Sequence, residues 1–195
     1  LNKGAKEIST PTTGARIDRE KRPESALVII DLQDDWTRNP KVGYAESEIE
    51  NLIARIGEHC ENARREGAKI VTVRQVFSGW LTNVIVKIVS AGAGAETSRG
   101  LSVDRRLNVQ PDADFTKPFG DAFSNPAFEA WLENQKVGRL LLVGLDGCHC
   151  VQLTAQGALN RGFNVVLLTD GVISRNQAHW QYYLDELREM GATSQ

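Results

Sequence analysis

Short, uninterrupted aliphatic runs that end abruptly in polar residues set the layout of this chain. The stretch ALVIIDLQDDW (residues 26–36) holds successive apolar residues and then a cluster of acids. A strand buried on both faces needs such a run, with polar groups emerging only at its carboxyl end. AKIVTVRQV, GRLLLVGL and FNVVLLTD repeat the pattern, and ADFTK adds a shorter strand ending at Lys117. Helical patterns lie between these runs. ESEIENLIARIGEHCENARREG puts Ile49, Leu52, Ile53 and Ile56 on one face and stops at Gly67, a helix cap. In SNPAFEAWLENQ, Ser124 or Asn125 caps a helix whose first turn holds Pro126. CVQLTAQGALNRG and NQAHWQYYLDELREMG complete the alternation.

Strands alternating with helices imply right-handed parallel crossovers. The expected fold is α/β: a single-domain, Rossmann-like three-layer sandwich. Its mostly parallel sheet of five or six strands is covered by helices on both faces. The domain runs over residues 26–195. Residues 1–25 are polar, with Pro11, Gly14 and Pro23. They read as an extended arm laid over the domain or onto a partner subunit. The least regular part, residues 78–112, reads as an excursion that shapes a pocket or an oligomer contact. Its glycines, in SAGAGAETSRG, lack the spacing of a phosphate-cradling loop.

Composition narrows the partners. The formal net charge is -2, with both signs interspersed, so nucleic acid is not expected to bind. No apolar run approaches the roughly 18 residues of a membrane span. The first residues lack the apolar stretch of an export signal, and the cysteines number 3. Free thiols and a cytoplasmic location are therefore expected.

In an open parallel sheet, ligands bind beyond the carboxyl ends of the strands. Asp31, Lys117 and the segment from Leu145 to Cys150 stand there, an acid, an amine and a thiol suited to nucleophilic catalysis. Cys150 is placed in the first turn of the following helix, where the dipole favours a thiolate. Its N–H, with that of Asp146 or Gly147, is suited to hold an oxyanion. Cys148 and His149 have no matching cluster elsewhere for a metal, and their spacing is not that of a redox pair. Cys148 is read as a packing residue, and so are His59 and Cys60 on their helix. Trp36, Trp80, Phe119 and Phe123 either wall the pocket or belong to the core.

ALVIIDLQDDW, FTKPFGDAF and VGLDGCHCVQLTAQGALNRGFNVVLLTDG resemble, in order, the signature segments of the isochorismatase-like cysteine hydrolases. That superfamily includes nicotinamidases, N-carbamoylsarcosine amidases and isochorismatases. The resemblance implies Asp31, Lys117 and Cys150 as the catalytic set, with the backbone N–H groups of Asp146 and Cys150 as the oxyanion hole. It also implies a cis peptide bond between Leu145 and Asp146. Three departures matter. Gly147 stands where many relatives carry threonine. The region after the second strand, VTVRQVFSGW, lacks the histidines of metal-dependent nicotinamidases, and the chain has only His59, His149 and His179. No metal or cofactor is therefore expected. Gln75 matches a glutamine of some isochorismatases and is a candidate substrate contact, along with Trp36, Phe119 and Phe123. Cys150 favours hydrolysis of a small amide, carbamoyl or ureido compound. The alternatives are a vinyl ether hydrolase with Asp31 as acid, and a non-catalytic binding module. A small-molecule substrate and a homo-oligomer, dimer or tetramer, are the expected partners.

Overall fold

In the computed structural model, which describes residues 10–77 and 93–195, the first aliphatic run forms a central strand. The strands are β1 (Glu24–Ile30), β2 (Lys69–Gln75), β3 (Ala113–Lys117), β4 (Val137–Gly144), β5 (Asn164–Val172) and β6 (Thr193–Ser194). They make one sheet in the order β3-β2-β1-β4-β5-β6. Among the described residues the sheet has six strands, and every pairing between them is parallel. The two-residue β6 follows the last helix, where the sequence carries no aliphatic run to announce it.

Four helices cover the sheet: α1 (Glu46–Arg65), α2 (Pro126–Asn134), α3 (Gln152–Asn160) and α4 (Gln177–Glu189). Alternation along β1 divides the core. Ala26, Val28 and Ile30 face a cluster with Phe128 and Leu132 of α2, Ala155 and Ala158 of α3, and Trp180 and Leu184 of α4. Leu27 and Ile29 face Ile49, Leu52, Ile53 and Ile56 of α1. Burial of each such Val, Leu or Ile stabilises the fold by about 1.5–3 kcal/mol, which fixes the strand between its two layers. Asn125 caps α2, its side-chain oxygen accepting from the Ala127 N–H. Gly67 closes α1 in the left-handed region at φ 76°, a geometry that favours glycine.

The arm and the excursion are tied down by buried charges. Thr12 donates from both its N–H and its hydroxyl to Asp121 Oδ2, at 2.8 and 2.7 Å. Arg161, 3% exposed, donates in turn to the Thr12 hydroxyl and to the Thr12 and Thr13 carbonyls. The arm at this point therefore lies over its own domain. Residues 93–112 are pinned by Asp104, which is fully buried. Its carboxylate accepts from Thr37, Arg38 and Arg106. Asp35 holds the start of the same segment through the Gly94 N–H and the Ser98 hydroxyl. Residues 78–92, with Trp80, lie outside the described residues. Among the described residues, no helix is long and apolar enough to cross a membrane.

Candidate active site

The sheet order reverses between β1 and β4, and the crevice at that point lies beyond the carboxyl ends of both strands. Asp31 is the first residue after β1. Its φ of 53° is uncommon for a residue with a side chain, and aspartate is among those that tolerate it. That conformation ends the strand and turns the carboxyl group toward the neighbouring strand ends. Lys117 closes β3, two strands away, and its long side chain reaches back beneath the crevice.

The Lys117 ammonium is completely enclosed. Its Nζ donates to Asp31 Oδ2 at 3.0 Å, Gln75 Oε1 at 2.7 Å and the Phe119 carbonyl at 3.2 Å. The fourth neighbour is the Cys150 sulfur at 3.2 Å. Acid, amine and thiol thus meet around one nitrogen, although they are far apart in sequence. Asp31 Oδ1 is buried and has no hydrogen-bond partner among the described residues, so it remains open to accept a proton.

Burial pushes the Asp31 carboxyl above its ordinary value, against the pull of Lys117 and of hydrogen bonds. Burial works against the Lys117 charge, yet the Asp31 carboxylate and the Cys150 sulfur hold its pKa above the usual lysine value. Burial and then the Asp31 charge push the Cys150 thiol up, with Lys117 pulling the other way. These influences favour the thiol form of Cys150, in the opposite direction to the helix dipole. The local backbone also departs from the expected first turn. Cys150 does not sit in a regular first turn: residues Gly147–Val151 form a π-helical turn, and α3 begins only at Gln152.

Asp146 organises that turn. Its backbone carbonyl accepts from the N–H groups of His149 and Val151 at 3.0 and 3.2 Å. Its carboxylate accepts from the Cys148 N–H and the Ser174 hydroxyl on one oxygen, and from the Tyr44 hydroxyl and the Arg175 N–H on the other. Burial opposes its charge, but these hydrogen bonds hold the carboxyl below its ordinary value. The Asp146 N–H itself has no hydrogen-bond partner among the described residues. The peptide bond that precedes it, Leu145–Asp146, is cis, as the resemblance implied.

The remaining residues singled out from the sequence divide clearly. Gln75, expected to face a substrate, is 2% exposed and binds Lys117 at both ends of its amide, donating to the Lys117 carbonyl at 3.0 Å. Gln33, not anticipated from the sequence, holds Gln75 in turn by pairing its amide with the Gln75 backbone. Phe123, offered as a pocket wall or a core residue, is core: it stacks near Phe128 and Phe163 and lies under the Arg161 guanidinium. Trp36 is half-buried beside Gly94, and Phe119 is half-buried with its carbonyl on Lys117. Cys148 is buried, donating to the Asn176 carbonyl and accepting from Ser174. Gly147 packs against Trp180, leaving no room for the side chain that relatives carry there.

The histidines do not converge. His59 pairs with Asp170, His179 with Asn176, and His149 is exposed. Among the described residues no three His, Cys, Asp or Glu side chains form a metal-binding group.

A family model for the isochorismatase domain matches residues 25–195. The chain is also similar to the uncharacterized isochorismatase family protein YaaI of Bacillus subtilis (strain 168). The two are 22% identical over 163 residues, which cover 84% of this chain and 88% of that protein. Among solved structures it resembles the pyrazinamidase of Pyrococcus horikoshii in complex with zinc. That match has a TM-score of 0.75 and 23% identity, covering 89% of this chain and 99% of the other. The N-carbamoylsarcosine amidase of Thermoplasma acidophilum gives a TM-score of 0.74 at 22% identity, covering 88% and 95% of the two chains. At these identities the structural likeness establishes the fold.

Proposed function

The chain belongs to the isochorismatase family, and from that membership we propose that it is a cysteine-dependent hydrolase of a small amide, carbamoyl or ureido compound. The observation that carries this reading is the Lys117 ammonium, 3.0 Å from Asp31 and 3.2 Å from the Cys150 sulfur at the switch point of the sheet.

Asp31 Oδ1 takes the thiol proton as Cys150 Sγ attacks the substrate carbonyl, forming a carbon–sulfur bond. The carbonyl oxygen becomes an oxyanion, held by the N–H groups of Asp146 and Cys150. Lys117 stays protonated and keeps Asp31 and the sulfur in register. The carbon–nitrogen bond then breaks, with Asp31 returning its proton to the departing ammonia or amine. A water molecule, deprotonated by the same carboxylate, attacks the thioester, releases the acid and restores the thiol.

A raised Asp31 would also serve as the acid of a vinyl ether hydrolase. That chemistry, however, gives the Lys117-bonded thiol no task, and the amide reading accounts for all three groups. Carbonyl transfer is tested by comparing ammonia release from small amides by the wild type and by Cys150→Ser. A thiol nucleophile predicts loss of about a hundredfold or more on this exchange, on the scale of removing one nucleophilic group. Unchanged turnover would remove the thioester from the scheme.

A further inference from the structure

Tyr44 occupies the loop just ahead of α1, and nothing in its sequence surroundings marks it. Its hydroxyl donates to Asp146 Oδ2 at 2.7 Å. The other side-chain and backbone donors to that carboxylate, Cys148, Ser174 and Arg175, all come from the β4–β5 side of the crevice. Among the described residues, Tyr44 alone comes from the β1 side, where Asp31 stands. The two layers of the core make the same division. Tyr44 packs against the cluster built on α1, whereas Cys150 packs against the cluster on the opposite face of the sheet. The hydrogen bond from Tyr44 to Asp146 therefore joins the half that supplies the base to the half that supplies the nucleophile.

The geometry points to Tyr44 as a positioning residue for the Cys150 nucleophile, acting through Asp146 across the switch point. Asp146 accepts from three N–H groups of the turn, and its own N–H has no hydrogen-bond partner among the described residues. A shift of its carboxylate therefore moves the sulfur and one oxyanion donor together. Burial, followed by the Asp146 charge, pushes the Tyr44 phenol above its ordinary value, so it remains a donor throughout the working pH range. Without the hydroxyl, Cys148, Ser174 and Arg175 still cap the turn and the Leu145 N–H still reaches the Ile30 carbonyl, but among the described residues no other hydrogen bond joins the Asp146 carboxylate to the β1 side.

This inference rests on Cys150 being the nucleophile, and its test separates the two claims. The probe is iodoacetamide, with the rate of Cys150 carboxymethylation followed by peptide mass against pH in the wild type and in Tyr44→Phe. Thermal unfolding of both proteins is recorded alongside. The variant is expected to melt within a few degrees of the wild type. It should label Cys150 about tenfold more slowly near neutral pH, the scale of losing one hydrogen bond to a charged group. With an active amide substrate, kcat should fall by a similar factor while KM changes by less than about twofold, since the group acts on the reacting geometry. Wild-type labelling rates and an unshifted pH profile in Tyr44→Phe would overturn the Tyr44 assignment alone. A wild-type Cys150 that labels no faster than Cys60 would overturn the nucleophile assignment, and this inference with it.

Discussion

Asp31 and Lys117 form an ion pair 3.0 Å long whose side chains are 4% and 0% exposed. Removing one member of such a pair leaves the other charge buried without its partner, a loss of about 3–5 kcal/mol. Lys117→Met should therefore lower the urea midpoint strongly, and Asp31→Asn should do likewise. The double variant should recover much of the stability while remaining inactive. If the two single losses simply add in the double variant, the groups do not act as a pair.

The pH profile of activity follows from the same groups. Asp31 must be ionised to accept the thiol proton, and burial raises its pKa. The acid limb of kcat/KM should therefore lie above the value of an ordinary carboxylate. Lys117 is held above the usual lysine value, so loss of its proton should not limit activity near neutrality. An acid limb at or below pH 4 would contradict a buried base.

Stability against acid has a different source. Burial opposes ionisation of Asp104, but hydrogen bonds from Arg106, Thr37 and Arg38 hold its carboxyl below the ordinary 3.8. As pH falls through 3.8, the unfolded chain takes up the proton first, so this contribution is present above that value and drains away below it. Urea titrations between pH 2.5 and 6 should show a shallower acid loss in Asp104→Asn than in the wild type. Parallel curves would mean that other carboxyls govern the acid limb.

The Gly147 departure has a packing reason. A Cβ at this position would sit 2.8 Å from the Trp180 ring, so the turn is filled by an aromatic neighbour. Gly147→Ala should destabilise the protein by about 1–3 kcal/mol, the range for overpacking. A variant as stable as the wild type would show that Trp180 gives way easily.

The arm adds a further check. Thr12→Val removes the hydroxyl that donates to Asp121 and accepts from Arg161, while the Thr12 N–H still reaches the carboxylate. Because the Asp121 carboxylate and Arg161 keep other partners, the expected loss is about 0.5–1.5 kcal/mol by chemical denaturation, the net contribution of a typical hydrogen bond; an unchanged midpoint would show that the hydroxyl does not hold the arm.

Much of this was legible in the residues. Uninterrupted aliphatic runs identify strands because only doubly covered strands tolerate them, and the motifs at their ends bring Asp31, Lys117 and Cys150 to one crevice. The features that escaped depend on tertiary contacts without local periodicity. Tyr44, Ser174 and Arg175 meet only at the Asp146 carboxylate, and each lies in a loop. Gln75 ends a strand, so it suited a substrate contact as well as a brace; the 2.7 Å approach of Lys117 decides for the brace. Cys150 was expected in a regular first helical turn because the π turn that precedes α3 leaves no signature in the sequence; burial, then the Asp31 charge, pushes its thiol up.

The central claim is that Cys150, and not Cys148, attacks a carbonyl. Ammonia release from a panel of small amides, measured for the wild type, Cys150→Ala and Cys148→Ala, tests it most directly. The account predicts that the wild type turns over at least one amide and that Cys148→Ala keeps most of that rate. Cys150→Ala should be folded and reduced by about a thousandfold or more, as when a catalytic nucleophile is removed. Substantial turnover in Cys150→Ala, or an equal loss in Cys148→Ala, would contradict it.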